Sequence, residues 1–502
     1  MGSSGKIVSG VVWSTIVNVV NAVYGFIAVP ILINHFGKAE YGLIGLAMSV
    51  NVYMSLMDMG FNSTNVRFFS AWLAQKNYGR LLKGFQTSLS FYGVVGLVNA
   101  IVLLVVAAFS GHIFNVTASQ DIILKHLFYI LAVSALCQWF SSCFDQLIKA
   151  TENVAWIQKR TLVTKILMIA VLAATVLFDL SIELYYILTC LAALAIVPMS
   201  IGKIKKETPF INFLPKWDRA SFKEMLPYCM NIFSFSLFQF SFYNLRPVFL
   251  GMQGTIESVT DYRILNGIIS IVTMLGGAFT GILLPSTSKA VANHNEAAYY
   301  RMAYDGTKYV SILICFCCFG MMSVGSEVLT LYVGKSYLYL IPWFNLWLLC
   351  TLGTHNQAIS SLILAGSDIR ALSYSSAFAS IVGLVMSWCL IPRYQIGGVC
   401  IAFAVYSVIQ LLFFYCYYWP KKMKINSAKV FNKCFFPSVL SGVTSLLVVQ
   451  YVLKWIVWFD STFVNFLCEG FSFAFLYVAF TYIFIMNKED KDFFFKIMKR
   501  NA

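Results

Sequence analysis

Fourteen runs of about twenty mostly apolar residues follow one another along the chain, centred near residues 22, 50, 97, 132, 168, 193, 237, 271, 317, 352, 381, 407, 442 and 474. A helix of that length rises about 30 Å, the thickness of a bilayer's hydrocarbon core, where backbone polar groups must be satisfied within the protein. The runs use up the 502 residues, leaving no room for a separate soluble domain. With 59% hydrophobic and only 11% charged residues, a soluble globular fold is excluded. The expected fold is an all-α polytopic membrane protein of about fourteen transmembrane helices. The first apolar run, Ile7 to Ile33, is too long for the core of a secretory signal and has no convincing cleavage site, so it is expected to stay as span one.

The net charge of +15 raises the question of nucleic acid, and the distribution of that charge answers it. With a cytoplasmic N-terminus and alternating spans, roughly 29 of the 36 Lys and Arg fall on the cytoplasmic side. One cluster is Lys203, Lys205, Lys206, Lys216, Arg219 and Lys223; another is Lys421, Lys422, Lys424, Lys429 and Lys433. Lys38, Lys125, Lys335, Arg393 and Lys454 fall outside. This asymmetry reads as membrane topology and contact with anionic lipid, with both termini cytoplasmic and no nucleic-acid partner. The thirteen cysteines lie mostly inside spans, and the Cys315, Cys317, Cys318 group has no ligand partners nearby, so they read as packing thiols and no metal is expected.

The connections are short on the outer side, among them His35 to Glu40 and Gly251 to Val259. The longer basic segment between spans six and seven, with Pro209 and Pro215, falls near the midpoint of the chain. It reads as a linker at 205–223, between an N-lobe at 1–204 (spans one to six) and a C-lobe at 224–420 (spans seven to twelve). Spans thirteen and fourteen with a cytoplasmic tail occupy 421–502. An internal repeat supports the division. Pro30, Gly37 and Glu40 at the end of span one recur at the same spacing as Pro247, Gly254 and Glu257 at the end of span seven, with an even number of spans between. Two pseudo-symmetric six-helix lobes in parallel orientation are a transporter signature, with the substrate site expected where the repeats meet.

Helical spacing places polar residues on coherent faces of four spans. Span one carries Ser14, Asn18, Asn21 and Gly25; span two carries Asn51, Ser55, Asp58 and Asn62. Span seven carries Asn231, Gln239 and Arg246; span eight carries Arg263, Asn266, Ser270 and Thr273. Asp261 lies nearly opposite Arg263 on its helix, so the two are not a local ion pair. Small polar residues serve as glue between membrane helices, but two arginines and an aspartate in such stripes indicate a hydrated cavity. A cation at the bilayer centre costs about 2.5–3.5 kcal/mol on insertion scales and marks a functional candidate. Arg246 and Arg263 lie close to the outer ends of their spans, so snorkelling to head groups is the competing account. A guanidinium fork suits phosphate, which calls for an anionic amphipathic passenger. Asp58 has three readings: a site for a coupling cation, H+ or Na+, a residue that orients an arginine, or a helix cap. The polar run Thr354-His355-Asn356-Gln357 in span ten reads as bundle glue, and Gly277 to Gly281 as close helix packing. Asp490-Lys491-Asp492 reads as a solvated terminus, and no nucleotide-binding P-loop motif is present.

The stretch Tyr24-Gly25-Phe-Ile-Ala-Val-Pro30, followed by Phe36-Gly37, Glu40-Tyr41-Gly42-Leu43, Asp58-Met-Gly60 and Arg67, resembles the opening of the polysaccharide-transport (Wzx-type) flippases. These share a superfamily with multidrug exporters and lipid II flippases. Asn244-Leu-Arg246, Gly251, Tyr262-Arg263-Ile-Leu265 and Leu284-Pro285-Ser286 resemble that family's segments around spans seven and eight. The chain departs from the family at Leu245, where an acid often precedes the arginine of span seven. The resemblance implies a two-lobe bundle opening alternately to each side of the bacterial plasma membrane. The implied cargo is an oligosaccharide repeat unit on undecaprenyl pyrophosphate, for O-antigen, capsule or similar glycans, with membrane lipids and other polysaccharide-assembly membrane proteins as partners. Arg246 and Arg263 would then screen the pyrophosphate, while Asn18, Asn21, Asn51, Asn62, Gln239 and Asn266 contact sugars. The lipid tail would pass between spans one and eight or two and seven.

Two other classes are weighed against this. A cation-coupled multidrug exporter would need carboxylates for its cargo, and spans one and seven have none in their cores. A glycan polymerase or membrane glycosyltransferase would need acidic catalytic residues in a large outer loop, which the short connections do not offer. The chain is expected to be a transporter, not an enzyme, without a cofactor.

Overall fold

The computed structural model describes residues 3–292, 295–365, 370–453 and 460–486; the tail around Asp490 and the outer Lys454 lie outside them. Among the described residues the regular structure is all helical. By packing, the chain forms two compact units, Met1–Ile264 with Ile391–Ile396, and Leu265–Leu390 with Gly397–Ala502.

The first unit contains α1 (Ser3–Phe36), α2 (Lys38–Met54), α3 (Met59–Ala74), α4 (Tyr78–Ala108), the one-turn α5 (Ser110–Ile113) and α6 (Ala118–Ala150). It continues with α7 (Val154–Leu177), α8 (Ile182–Leu194), α9 (Ile196–Glu207), α10 (Arg219–Gln253) and the opening turns of α11 (Ile256–Ala292). The second unit holds the rest of α11, then α12 (Glu296–Arg301), α13 (Thr307–Ser323), α14 (Gly325–Val333), α15 (Ile341–Thr351) and α16 (Gln357–Ala365). It ends with α17 (Arg370–Tyr394), α18 (Ile396–Phe413), α19 (Ser427–Lys429), α20 (Phe436–Val448) and α21 (Thr462–Phe480). Each of the fourteen span centres read from the sequence falls in a helix. By packing, span seven (α10) belongs to the first unit, whereas the lobe boundary at 205–223 was drawn from sequence symmetry.

Ten helices among the described residues are long and apolar enough to cross a membrane. Of the other four spans, 38–74 and 335–365 are interrupted by 3₁₀ segments, whereas 219–253 and 256–292 are continuous helices. Span two is not one helix. A 3₁₀ turn over Ser55–Asp58 separates α2 from α3, so the 100° spacing that would line up Asn51, Ser55, Asp58 and Asn62 is broken in its middle. A 3₁₀ stretch inside a span is a common mark of a hinge.

Two of the connections expected on the outer side are tighter than the sequence spacing suggests. α1 gives way to α2 through Gly37 alone, whose φ of +88° suits glycine. α10 and α11 are separated only by Gly254 and Thr255. That turn is held from two sides: Asn115 Nδ2 donates to the Gly254 carbonyl at 2.9 Å, and Gln395 Oε1 accepts from Thr255 N at 2.9 Å and Ser258 Oγ at 3.1 Å. These bonds explain why 391–396 belongs to the first unit. The repeated Pro, Gly and Glu take matching local places. Pro30 and Pro247 lie inside helices, Gly37 and Gly254 at the junctions, and Glu40 and Glu257 in the next first turn. There a carboxylate meets the positive end of the helix dipole.

α10 begins at an Asp218 N-cap, which accepts from Ser221 N at 2.9 Å and Ser221 Oγ at 2.7 Å. Those two bonds hold the Asp218 carboxyl below the usual carboxylate range. In the second unit, His355 of the polar run in span ten makes packing contacts. It is buried, stacked on Phe435 at 4.0 Å between centroids, with Nε2 2.7 Å from the Tyr415 hydroxyl and Nδ1 2.9 Å from the Leu352 carbonyl. These contacts tie helices together and make it packing glue.

Candidate functional site

Two groups of polar residues in the first unit stand out from its apolar packing. The first lies where α2 meets the start of α11. A Cβ on Gly42 would collide with Ile256 and Thr260, and one on Gly45 with the Arg263 side chain, so small residues are what permit this approach. Thr260 Oγ1 donates to the Lys38 carbonyl at 2.6 Å, and Lys38 Nζ pairs with Asp261 Oδ1 at 2.8 Å. Asp261 is thus committed to Lys38, as its position opposite Arg263 allows.

Arg263 has no carboxylate partner among the described residues. Its stem lies along Gly45 and its guanidinium sits 4.5 Å over the Tyr41 ring, with Tyr185 and Tyr186 of α8 within electrostatic range. Nη1 is buried without a hydrogen-bond partner among the described residues. A half-buried guanidinium with unused donors and no counter-charge is suited to an incoming anion.

Arg246 is placed differently. At 1% exposure it is closed in by its own molecule, so snorkelling does not describe it. The guanidinium lies 4.8 Å from the ring centroids of Phe242 and Tyr243 and 5.9 Å from that of Tyr262, and Nε donates to the Phe242 carbonyl at 3.2 Å. Cation–π contacts of this kind strengthen when desolvated. Tyr262, next in sequence to Arg263, thereby links the two arginine sites.

The second group is a directed chain of hydrogen bonds in the core. Ser88 Oγ donates to Asn65 Oδ1 at 2.8 Å, and Asn65 Nδ2 donates to Gln146 Oε1 at 2.5 Å. Gln146 Nε2 donates to the Tyr92 hydroxyl at 2.5 Å, and that hydroxyl donates to Asp58 Oδ1. Every donor points toward the carboxylate, and the chain crosses α3, α4 and α6. Two sequence readings of Asp58 are corrected here. It stands at the N-cap position of α3 but makes no side-chain cap bond, and it forms no ion pair with an arginine among the described residues. The 3₁₀ turn rotates it toward Tyr92 instead. Cys143 and Lys149 of α6 and Cys229 of α10 also lie within its electrostatic reach.

The remaining candidates are dispersed. Asn18 on α1, Gln239 on α10 and Asn266 on α11 are exposed, and Asn21 is half-buried with a buried Oδ1 that has no partner among the described residues. Asn51 accepts from Asn99 Nδ2 at 3.3 Å; half-buried Asn62 is not dispersed but within hydrogen-bonding reach of Asp58. Spans two and seven are sealed on each other: Gly60 packs on Cys229, the Tyr53 hydroxyl lies 3.3 Å from Ser241 Oγ, and Leu46 packs on Gly251. A lipid tail passing there would require these contacts to open.

Tyr92, Gln146, Asn65 and Ser88 were not legible as a unit in the sequence. Their one signal was polarity inside apolar runs, which by itself reads as glue. The Lys38–Asp261 pair was equally hidden, because its partners are 223 residues apart. Removing one partner of a buried pair typically costs about 3–5 kcal/mol. Lys38 keeps 27% of its side chain exposed against 6% for Asp261, so Asp261→Asn is expected to destabilise by about 2 kcal/mol. A double-mutant cycle with Lys38→Met on the purified protein checks this; coupling below about 0.5 kcal/mol would remove the pair from the account.

Ten apolar helices among the described residues long enough to cross a membrane, with buried cations and a polar chain among them, define the class: a multi-pass membrane transporter. Residues 7–291, more than half of the chain, match the family model described as "Polysaccharide biosynthesis protein". The chain belongs to that family of flippases, within the superfamily that includes the multidrug exporters. No curated protein sequence matches. Among solved structures, the chain is similar to "Lipid II flippase MurJ, inward closed conformation", with TM-score 0.71 and 14% identity, over 94% of this chain and 98% of that one. An inward-facing multidrug resistance MATE family transporter of the MOP superfamily gives TM-score 0.60 and 12% identity, over 86% and 96%. The eukaryotic MATE transporter AtDTX14 gives TM-score 0.57 and 14% identity, over 86% and 99%. At these identities the likeness is one of fold.

Proposed function

We propose that this protein translocates undecaprenyl-pyrophosphate-linked oligosaccharide repeat units from the inner to the outer leaflet of the bacterial plasma membrane, by alternating access and without catalysing a reaction. The product would serve O-antigen- or capsule-type polysaccharide synthesis. The observation that carries this reading is Arg263: a guanidinium with buried, unused donor capacity and no carboxylate opposite. A pyrophosphate supplies the acceptors it lacks, whereas a cationic drug would be repelled. This favours the glycan-lipid cargo over a multidrug exporter. Arg246, behind Tyr262, adds positive field.

Asp58 is proposed as the coupling site, with a proton as the coupling ion. Ionised, it terminates the donor chain and satisfies every member. Protonated, it keeps a carbonyl oxygen for Tyr92 but loses the charge that strengthens that bond, and its new hydrogen needs an acceptor outside the chain. Proton uptake would therefore loosen the joint of α3, α4 and α6 beside the 3₁₀ turn.

The test is reconstitution of the purified protein in vesicles with a fluorescent lipid-linked oligosaccharide. Leaflet exchange is followed with and without a pH or sodium gradient. Protein-dependent exchange accelerated by the pH gradient is expected. Exchange no faster than in protein-free vesicles would refute the proposed cargo, and acceleration by sodium alone would refute proton coupling.

A further inference from the structure

The second unit contains a cleft whose lining shares no residue with the arginine sites or the Asp58 chain of the first unit. It has a volume of about 840 Å³, within the range of small-molecule sites. Its walls come from the segment joining α12 to α13, from α19 and the turn after it, and from the end of the last span. Four cations line it, Arg301, Lys308, Lys429 and Lys433, against the single carboxylate of Asp305. Asp305 is near Arg301 Nε at 3.6 Å, but both side chains are more than half exposed, so this pair neutralises little.

The cations are held by local structure. Asn426 caps α19 by accepting from Lys429 N at 3.0 Å, and its own N–H donates to the Tyr304 hydroxyl at 3.0 Å. That brings the Tyr304 ring under Lys429 Nζ, 4.0 Å from the centroid. The backbone adds an independent sign. Three π-helical segments meet at the cleft: Met302–Gly306, Val430–Phe435 and Thr481–Ile485. They contribute Tyr304 and Asp305, Lys433 and Cys434, and Phe484 and Ile485. π-Turns are rare, break the regular hydrogen-bond ladder and concentrate at functional sites. Beside the basic residues, Pro437, Phe484 and Ile485 give the lining an apolar part. The two together match a phosphate carried on a hydrophobic stem.

We propose that this cleft binds the phosphate group of an anionic ligand, with Arg301, Lys429 and Lys433 as its principal contacts. An anionic phospholipid head group and a free phosphate share that chemistry. To test it, the purified full chain is titrated with phosphatidylglycerol in detergent micelles and, separately, with inorganic phosphate at constant ionic strength, reading the thermal unfolding midpoint. The variant R301Q/K429Q/K433Q is compared with K205Q/K206Q/K216Q, which removes the same charge elsewhere. The half-saturating concentration is expected to rise about tenfold or more in the first and to stay unchanged in the second. A response to lipid alone assigns the head group, and an equal response to inorganic phosphate assigns the free anion. Equal loss in both variants, loss in neither, or a wild type that responds to neither probe overturns the proposal. Should the triple variant not fold, K433Q alone carries the same comparison with a smaller fold-change, and K433R is expected to restore binding.

Discussion

Replacing Arg263 with alanine is expected to reduce surface glycan sharply while leaving the amount of protein in the membrane unchanged. The guanidinium stem lies over a glycine and beside a tyrosine ring, and its removal uncovers no buried partner charge, because Asp261 is held by Lys38. What is lost is a charge-assisted, bidentate-capable contact to the cargo phosphate, worth about 1.5–3 kcal/mol, or roughly 10- to 150-fold in transport. Arg263→Lys keeps a point charge without the fork and is expected to fall between. Arg246→Ala should behave differently. That side chain is buried among three rings, and a large-to-small change at such a site costs about 2–5 kcal/mol, so protein abundance is expected to fall together with glycan. Arg246→Met, which keeps most of the volume, separates packing from charge. The measurement is surface glycan by immunoblot, normalised to membrane protein. Normal glycan in the Arg246→Met, Arg263→Ala double variant would end the phosphate role of both.

Asp58→Asn is expected to uncouple exchange from a pH gradient. Asparagine has nearly the same shape and still offers an oxygen to Tyr92, so the fold should change by less than about 1 kcal/mol. It cannot take up a proton at neutral pH, and the switch between a charged and a neutral acceptor for Tyr92 disappears. Tyr92→Phe tests the same element from the other side. It removes the donor to Asp58 and the acceptor of Gln146 together, at a cost of about 1–3 kcal/mol, and is expected to weaken both stability and gradient-driven exchange. Vesicles holding each variant, assayed with and without an imposed pH step, give the answer. Gradient-driven exchange that survives in Asp58→Asn would place coupling elsewhere.

Hydropathy and charge were enough for the helices, because insertion into hydrocarbon is decided segment by segment. The fourteen centres all fall in helical segments, residue 352 in a 3₁₀ segment. The Pro, Gly and Glu repeat was also legible, since its three positions serve a local purpose at each helix junction. The candidate site was legible only in outline. Arg246, Arg263 and Asp58 were singled out by the cost of charge in a membrane, yet their surroundings were not. The Asp58 stripe assumed an unbroken α-helix, and the 3₁₀ turn at Ser55–Asp58 broke its register.

Local physics therefore made legible, from the sequence alone, that this chain crosses the membrane many times and which few charges lie within its apolar runs. Tertiary structure decided what each charge meets. Asp261 pairs with Lys38, leaving Arg263 without a carboxylate; Arg246 is enclosed by rings; Tyr92, Gln146, Asn65 and Ser88 align their donors on Asp58. A side chain's face on its helix follows from 3.6-residue periodicity, whereas its partner on another helix follows from how closely the helices approach. That approach is set by contacts such as Gly42 and Gly45 against α11, between residues more than 200 positions apart.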